Sequence, residues 1–436
     1  MYHERIELIQ NDEGRELDLV LRDIFETQRN RLSTILDLPP RSQIILCPSG
    51  SDAEYIPVAI AKMIQNKQIM KNGVTQLNEI GAGSAPAAVG DTFSTHAPFV
   101  GELNGLKKLD GFGGIEARII SARTKEGDVI DASLKMKEFT EECIENGHYP
   151  IVHGVFGGKT GVRDAQMPPS LDKGQTSMGI VDACQGRFSL EELNQWLEQD
   201  SIILFTSSKF YQAPPFCGAV IIPPSIADQL HESTNPPVEM LTTNGLGMYL
   251  TDKELPNCLE SWKSHLRDER KNNVGLALRW EAGLVAMEEL SSVSDEERTA
   301  NVDEWADAVA TMVNNEGQLD AWCVERSIVS IRMSNNKGGW LDMKECRDLF
   351  RWMSVDVSSV VPDASKDEKD ALSTIAYTGQ PVNVSESHAI VRIALGVESL
   401  LSYIEDKDAT LAEDQKVVKK LATISKYFET LKESGL

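Results

Sequence analysis

A short polar segment, Ser49-Gly50-Ser51, follows the apolar run of residues 44–46 and precedes a helical pattern that resumes at Ala53. Backbone N–H groups that are free at such a strand-to-helix turn, together with the positive end of the helix, bind phosphate. The same Ser-Gly-Ser combination also occurs in ordinary turns that bind no ligand. This segment alone therefore leaves two interpretations open, an anion-binding loop and a plain turn.

A carboxylate and an amide, Asp182 and Gln185, stand at the end of a second apolar run, residues 179–182. An acid at the carboxyl end of a parallel strand faces the ligand crevice of an α/β sheet. The commoner use of such an Asp is to cap the turn that follows the strand. Both uses remain open for Asp182 when this segment is taken alone.

A lysine, Lys209, follows a third apolar run, residues 201–205, after the hydroxyls of Thr206, Ser207 and Ser208. We expect a lysine in this place to be partly removed from water, which lowers its pKa and makes its amine a nucleophile toward an aldehyde. Most lysines lie on solvated surfaces instead. An exposed loop lysine is therefore the alternative interpretation.

The chain order of the three segments favours one cofactor, pyridoxal phosphate. The cofactor requires a loop for its phosphate, an amine for its aldehyde and an acid for its protonated pyridine nitrogen. Ser49-Gly50-Ser51 would anchor the phosphate, Lys209 would form the Schiff base, and Asp182 would pair with the ring nitrogen. That ion pair keeps the ring an electron sink for a carbanion at Cα of an amino acid. Jointly the segments are far more specific than any one of them.

These segments resemble those of the fold type I pyridoxal-phosphate enzymes, in the branch of class V aminotransferases and cysteine desulfurases. The resemblance implies that Gln185 bonds the phenolic oxygen of the ring and that Thr206 and Ser208 contact the phosphate. It implies a homodimer with sites at the subunit interface, in which Thr243-Asn244-Gly245-Leu246-Gly247 of the neighbour reaches the phosphate. The cofactor-binding residues predicted in this way are Ser49, Gly50, Ser51, Asp182, Gln185, Thr206, Ser208 and Lys209, with Lys209 and Asp182 catalytic.

An arginine near the C-terminus, Arg392, matches the place where this family binds the substrate carboxylate. A guanidinium forks onto a carboxylate with two parallel hydrogen bonds, which would orient an amino acid on the cofactor. The alternatives are a structural ion pair at Arg392 and a substrate-binding role for Arg332 instead. The strand-end loop that carries Lys159 and Thr160 would face the same site and contact the ring or the substrate.

The segment from His153 to Gly161 superficially resembles a nucleotide-binding P-loop. The spacing fails by one residue because His153 occupies the required glycine position, and Met167-Pro168-Pro169 interrupts any following helix. We therefore exclude nucleotide binding. His153 is either a proton shuttle or a buried histidine whose hydrogen bonds are satisfied.

Two departures from the family concern the reaction rather than the cofactor. The region of residues 377–379 has no cysteine, so persulfide chemistry is not expected, and residues 77–84 contain no ring to stack on the pyridine. Either a small residue such as Ser84 covers the cofactor, or another segment does. An aminotransferase is the first choice; a β-elimination lyase and a catalytically degenerate member of the fold are the alternatives.

Strand-like and helical patterns alternate along most of the chain. Helical stretches at residues 134–146 and 189–199 separate apolar runs, which predicts an α/β protein with a mostly parallel sheet flanked by helices. With the resemblance, this is a large domain of PLP-transferase fold type I plus a smaller α+β C-terminal domain. The predicted divisions are an N-terminal helical segment at 1–40, the large cofactor domain at 41–290 and the small domain at 291–436. Residues 363–368 are expected to be an exposed connection.

Composition limits the partners. Lys and Arg number 43 and Asp and Glu 67 among the 436 residues, so the formal net charge is −24, which argues against nucleic acid or an anionic membrane as a partner. No N-terminal signal and no run of about 18 apolar residues is evident. The seven cysteines form no Cys-x-x-Cys pair, which predicts no metal site and reduced thiols in the cytoplasm.

Overall fold

The computed structural model describes residues 17–65, 69–75, 79–162, 176–233, 235–334, 338–386 and 388–435. The chain divides into two compact units. The first contains the described parts of residues 1–122, 131–156 and 163–292, and the second those of 123–130, 157–162 and 293–436. Two short loops that precede residue 291 in the chain therefore belong to the second unit. Among the described residues, none of the helices has both the length and the apolar character needed to cross a membrane.

A seven-stranded sheet forms the centre of the first unit. Its strands are β1 (Gln43–Cys47), β2 (Met70–Thr75), β5 (Ile115–Ile120), β6 (Tyr149–Val155), β7 (Met178–Asp182), β8 (Ile202–Thr206) and β9 (Gly218–Ile222), while β3 (His96–Ala97) and β4 (Gly101–Glu102) form a separate pair. The strand order is β1-β9-β8-β7-β6-β2-β5. Only β9 runs antiparallel to its neighbours. Strands β6, β8 and β9 are buried along their whole length, as expected for strands of a sheet covered on both faces.

Helices connect and cover these strands. They are α1 (Leu17–Ile35), α2 (Gly50–Ala53), α3 (Tyr55–Ile64), α4 (Ser84–Ala87), α5 (Ser133–Glu145), α6 (Leu190–Glu198), α7 (Pro224–Glu232), α8 (Glu260–Leu266) and α9 (Val274–Leu290). Short 3-10 helices lie at Val238–Leu241, Leu246–Met248 and Asn257–Leu259. Helix α1 packs on α9, where Arg31 binds Glu281 at 2.8 Å and Glu288 at 2.7 Å. The predicted alternation of strands and helices is thus the architecture of this unit.

A buried lysine fastens α1 to the rest of the first unit. The Lys253 side chain is 0% exposed, and its Nζ lies 2.7 Å from a carboxylate oxygen of Asp18. The same ammonium donates hydrogen bonds to the carbonyl oxygens of Asp268 at 3.2 Å and Lys271 at 3.0 Å. Arg22 also binds Asp18, at 2.8 Å. Because the ammonium is out of contact with water, its charge depends on these partners.

The second unit has an antiparallel sheet with the strand order β10-β11-β13-β12. Its strands are β10 (Leu319–Glu325), β11 (Ile328–Met333), β12 (Gly379–Asn383) and β13 (Ala389–Ala394); its helices are α10 (Asp295–Asn314), α11 (Met343–Met353), α12 (Lys366–Ser373), α13 (Val397–Glu405), α14 (Lys407–Lys426) and α15 (Phe428–Glu433), with a 3-10 turn at Ser358–Val360. The expected exposed connection at 363–368 is wrong in its second half. Ser365 and Glu368 form a capping box there, which begins α12.

Candidate active site

The strand-to-helix turn after β1 is held by its own side chains. Ser49 is the N-cap of α2, its Oγ accepts a hydrogen bond from the Asp52 N–H at 3.1 Å, and its hydroxyl donates to the Asp52 carboxyl at 2.7 Å. Burial raises the pKa of Asp52 to about 7, and the hydrogen bond from Ser49 opposes that shift. The Ser49 hydroxyl is therefore used to cap α2. Within the predicted phosphate-binding segment, Gly50 and Ser51 are the residues not used for this cap.

Gly50 brings the turn against the ends of β7 and β8. A Cβ at this position would lie 2.7 Å from Thr206 Cγ2 and 2.8 Å from Cys184 Sγ, which is closer than real Cβ contacts. On the other side of the turn, a Cβ on Gly81 would lie 3.1 Å from Ser51 Oγ. The structure therefore places the first predicted segment against the strand ends that carry the second and third segments.

Asp182 is the last residue of β7 and lies opposite Val155 of β6 in the parallel register. It is 6% exposed, and its Oδ1 accepts a hydrogen bond from the Cys184 N–H at 3.0 Å. The turn-capping interaction is thus present and uses one carboxylate oxygen. Gln185 is partly buried, and its carbonyl accepts a hydrogen bond from the Phe210 N–H at 3.2 Å, which joins the second and third segments directly.

The hydroxyls that follow β8 divide between the protein interior and the strand edge. Thr206 donates to the Cys184 carbonyl oxygen at 2.9 Å, and Ser208 donates to Thr206 Oγ1 at 3.3 Å. Ser207 is fully buried, and its Oγ lies 2.9 Å from Cys217 Sγ. Thr206 and Ser208 therefore share one edge of the sheet with Gly50.

Lys209 is exposed, so the expectation that this lysine is partly removed from water is wrong. The chain bends immediately after β8, and the bend directs Lys209 outward while the neighbouring Ser207 and Phe210 remain buried. Sequence alone did not reveal this because an apolar run shows where a strand is buried but not where the chain bends after it. The amine is consequently open to a small molecule.

A buried acid that the sequence analysis did not identify, Glu54, stands beside His153 and Asp182. One ligand-type atom from each of the three residues lies within 4.8 Å of the others, and Glu54 Oε1 lies 3.3 Å from His153 Nε2. Glu54 is 1% exposed and His153 0%. Burial raises the pKa of Glu54, and His153 opposes that shift. A signal was present in the sequence, since Glu54 is an acid directly before the entirely apolar start of α3.

The loop expected to cover the cofactor ring supplies a hydroxyl rather than a ring. Ser84 is 4% exposed, and its hydroxyl opposes the rise in the pKa of Glu54. A Cβ on Gly81 would lie 3.2 Å from Ser84 Oγ, so this loop packs tightly. Residues 77 and 78 of the expected stacking region lie outside the described residues.

The cysteines near these segments, Cys184 and Cys217, are protonated thiols that fill space in the protein interior. Burial raises the pKa of Cys217 to about 12 and raises that of Cys184 well above its ordinary value. Asp182 and Glu54 add to the shift at Cys184. None of the seven cysteines, all of which lie in the described ranges, forms a disulfide. Thiolate chemistry is therefore not favoured at either position.

Arg392 lies on β13 of the second unit and is partly buried. Its Nη1 donates to the Lys159 carbonyl oxygen at 2.6 Å, and its Nη2 donates to the Gln380 carbonyl oxygen at 3.2 Å. A Cβ at Gly379 would lie 2.9 Å from Arg392 Nε, so β12 closely covers the guanidinium. These contacts hold the guanidinium in one orientation. Arg332, the alternative, is paired with Asp320 at 2.6 Å.

Thr160 differs from its expected role. The residue was predicted to contact the ring or the substrate, yet its side chain is 0% exposed and its Oγ1 accepts a hydrogen bond from Arg123 Nη2 at 2.5 Å. Its carbonyl oxygen accepts another from Ser330 at 3.1 Å. Lys159 is only partly buried. Residues 167–169, on which the exclusion of a P-loop partly rests, lie outside the described residues.

The segment at 243–247 has an exposed tip on a close-packed base. Thr243 and Asn244 are exposed, whereas Gly245 and Gly247 are buried. A Cβ at Gly245 would lie 2.3 Å from the Met240 carbonyl oxygen, so only glycine fits there. This leaves the tip available to a neighbouring molecule.

The sheet order of the first unit, with one antiparallel strand between the first and sixth parallel strands, is that of PLP-transferase fold type I. The predicted fold class is thereby confirmed, and so is the resemblance at the level of the fold. Because β1, β6, β7 and β8 run in one direction, their carboxyl ends meet at one edge, where open α/β sheets bind ligands.

Many solved structures are similar to the chain, and three of them represent the range. A NifS-like protein has a TM-score of 0.54 at 12% identity, with 97% of this chain and 95% of that chain covered. Ureidoglycine-glyoxylate aminotransferase from Bacillus subtilis has a TM-score of 0.53 at 13% identity, with coverages of 93% and 90%. Oryza sativa TDC with PLP and tryptamine has a TM-score of 0.51 at 13% identity, with coverages of 92% and 76%. At these identities the likeness establishes the fold.

Comparisons of the sequence itself found no relative. No protein-family model matches the chain, and no curated protein matches it.

Proposed function

We propose that the protein is a pyridoxal-phosphate-dependent enzyme that acts at Cα of an amino acid or amine, with transamination as the favoured reaction. The observation that carries the proposal is the convergence of three segments at one edge of a fold type I sheet. Gly50 packs against Cys184 and Thr206, and the Phe210 N–H joins the Asp182 segment to the Lys209 segment. The solved Oryza sativa TDC structure, which has this fold, contains PLP.

The described residues fit this cofactor. Gly50 packs against Thr206, so the turn after β1 lies beside the hydroxyls of Thr206 and Ser208. Asp182 uses only one oxygen in the turn shown above, which leaves the other for the ring nitrogen. The exposed amine of Lys209 suits an aldehyde. The residues proposed to hold the cofactor are Ser49, Gly50, Ser51, Asp182, Gln185, Thr206, Ser208 and Lys209.

The chemistry divides between the cofactor and the chain. When bound, pyridoxal phosphate draws electrons from a bond at Cα of the substrate. Asp182 supplies a fixed negative charge for the ring nitrogen, and Gln185 hydrogen-bonds the phenolic oxygen. Lys209 holds the cofactor and, once released by the substrate, takes and returns a proton at Cα. Arg392 orients the substrate carboxylate.

The first test is spectroscopic and chemical. Purified protein supplied with pyridoxal phosphate should turn yellow, and borohydride should fix the cofactor on the peptide that contains Lys209. An amino-acid panel then separates the reactions, because conversion to the pyridoxamine form indicates transamination, whereas release of pyruvate with ammonia or sulfide indicates β-elimination. A colourless protein that takes up no cofactor would overturn the proposal.

Gly50→Ala should weaken cofactor binding. The added methyl would meet Thr206 Cγ2 and Cys184 Sγ below 3 Å, so the turn must shift away from the strand ends. Such overpacking costs about 1–3 kcal/mol, which corresponds to roughly 5- to 150-fold in the Kd of pyridoxal phosphate. Titration of the visible absorbance measures the effect. The control is Gly317→Ala, where a Cβ would have no neighbour within 4 Å; equal Kd values for the two variants would contradict the prediction.

Arg392→Lys should raise KM for an amino acid while leaving an amine substrate nearly unaffected. Lysine keeps the charge but loses the two parallel hydrogen bonds, which are worth about 1.5–3 kcal/mol, or roughly 10- to 100-fold in KM. Steady-state kinetics with an amino acid and its decarboxylated amine measures the difference. Arg332→Lys is the matched control, and an equal rise in both variants would argue for a structural role at Arg392.

The proposal includes a homodimer in the cytoplasm. The exposed tip at Thr243 and Asn244 supports a contact with the phosphate of the neighbouring site, and the lack of disulfides among the described cysteines supports a reducing compartment. Lys159 remains a proposed substrate contact. Sedimentation of the purified protein tests the dimer.

A further inference from the structure

Glu54, His153 and Asp182 form a buried cluster with a defined order. His153 lies on β6 and Asp182 ends the neighbouring β7, whereas Glu54 joins α2 to α3. The Glu54–His153 contact is 3.3 Å, and the three side chains are 1%, 0% and 6% exposed. The hydroxyl of Ser84 also opposes the rise in the pKa of Glu54. The cofactor alone requires only Asp182, so the other two members need a separate explanation.

Charge balance restricts the protonation of this cluster. Two carboxylates beside a neutral imidazole would place two like charges in a pocket away from water, which is strongly unfavourable. An imidazolium shared between the carboxylates reduces the total to one negative charge. The protonated ring nitrogen of the cofactor would bring the sum to zero. Titratable groups beside the cluster in the described part of the chain include Cys184, whose pKa lies well above its ordinary value, and Lys209, whose charge acts on Cys184.

We propose that Glu54 is a positioning residue that acts through His153: it keeps His153 protonated, and the imidazolium in turn keeps Asp182 ionised for the ring nitrogen. This inference rests on the proposed function. Glu54 touches neither the substrate nor the cofactor in this arrangement. Its effect is to set the basicity of Asp182 and, through it, how strongly the ring draws electrons.

The first experiment needs no cofactor. The His153 imidazole is titrated by NMR in the cofactor-free protein, with its signal assigned by His153→Gln. We expect its pKa to lie above the ordinary value of about 6.5 and to fall by about one unit or more in Glu54→Gln. Glu254→Gln is the control, because Glu254 is equally buried but accepts a hydrogen bond from the Thr251 hydroxyl. A His153 that is neutral at pH 6 in the unmodified protein would overturn the inference.

The second experiment uses the holoenzyme. In Glu54→Gln, Asp182 would pair less strongly with the ring nitrogen of a bound cofactor, and the ring would draw electrons less strongly from Lys209. The midpoint of the pH-dependent visible absorption should therefore rise by about one unit. kcat should fall about 10-fold with KM nearly unchanged, and Glu54→Asp should restore part of it. An unshifted midpoint contradicts the inference, whereas failure to bind pyridoxal phosphate would contradict the proposed function and leave the NMR result standing.

Discussion

Lys209→Ala should abolish turnover and the covalent attachment of pyridoxal phosphate. The variant loses the only group proposed to carry a proton to and from Cα, and proton transfer by a positioned side chain contributes about 10²–10⁴-fold. We expect kcat to fall by at least that factor. Borohydride should no longer fix the cofactor, although the turn near Gly50 should still bind its phosphate. Kinetics, reduction and peptide mapping measure these effects.

Because Lys209 is exposed, Lys209→Ala should affect the reaction without affecting stability. Because the side chain is exposed, its removal creates no cavity and should change the free energy of unfolding by less than about 0.5 kcal/mol. Lys107→Ala, at another exposed lysine of the same unit, is the matched control and should keep full activity. An unchanged visible spectrum in Lys209→Ala would show that another residue carries the cofactor.

Asp18→Asn should lower the free energy of unfolding by about 3 kcal/mol. The substitution keeps the shape of the side chain but removes the carboxylate 2.7 Å from the fully buried ammonium of Lys253. A buried charge that loses its partner costs about 3–5 kcal/mol, and the amide oxygen that remains places the expected loss at the lower end. Denaturant unfolding measures the change. The control is Glu304→Gln in the exposed pair with Lys407, where we expect no measurable loss.

The pH dependence of this difference has a defined sign. Burial raises the pKa of Asp18, but hydrogen bonds from Arg22 and Lys253 outweigh it, so the pKa lies below its ordinary value of 3.8. A carboxyl with a lower pKa in the folded state contributes stability that is complete above that ordinary value and is lost as the pH falls through the folded value. The stability difference between the unmodified protein and Asp18→Asn should therefore shrink in acid. A constant difference down to pH 2 would show that Asp18 does not stabilise through its charge.

Sequence patterns predicted the fold and the chain positions of the main site segments. The buried strands gave continuous apolar runs, and the residues that follow β1, β7 and β8 were identified from where those runs end. Parallel strands make this possible, because polar residues at their carboxyl ends meet at one edge even when they are distant in the chain. The meeting of Gly50 with Cys184 and Thr206 follows from that geometry.

Features that depend on side-chain direction were not predictable. The orientations of Lys209 and Thr160 depend on how the chain turns after a strand, and the hydrophobic pattern carries no information about that turn. The same limit applies to Glu54, whose importance lies in its distance to His153 across the sheet. The capping box at Ser365 was visible in the sequence but was outweighed by the polar character of the surrounding residues.

The pairing of β1 with β9 has a consequence for how the protein folds. Gln43 pairs with Ile222, and α1 packs on α9, so the first strand and helix of the described chain find their partners only after much of the first unit exists. Contacts between such distant segments form slowly, since a long loop must close first. The turn at Ser49 directly follows β1. We therefore expect phosphate binding to be among the last properties acquired during refolding. The binding of a phosphate-containing ligand would then report the final step of assembly.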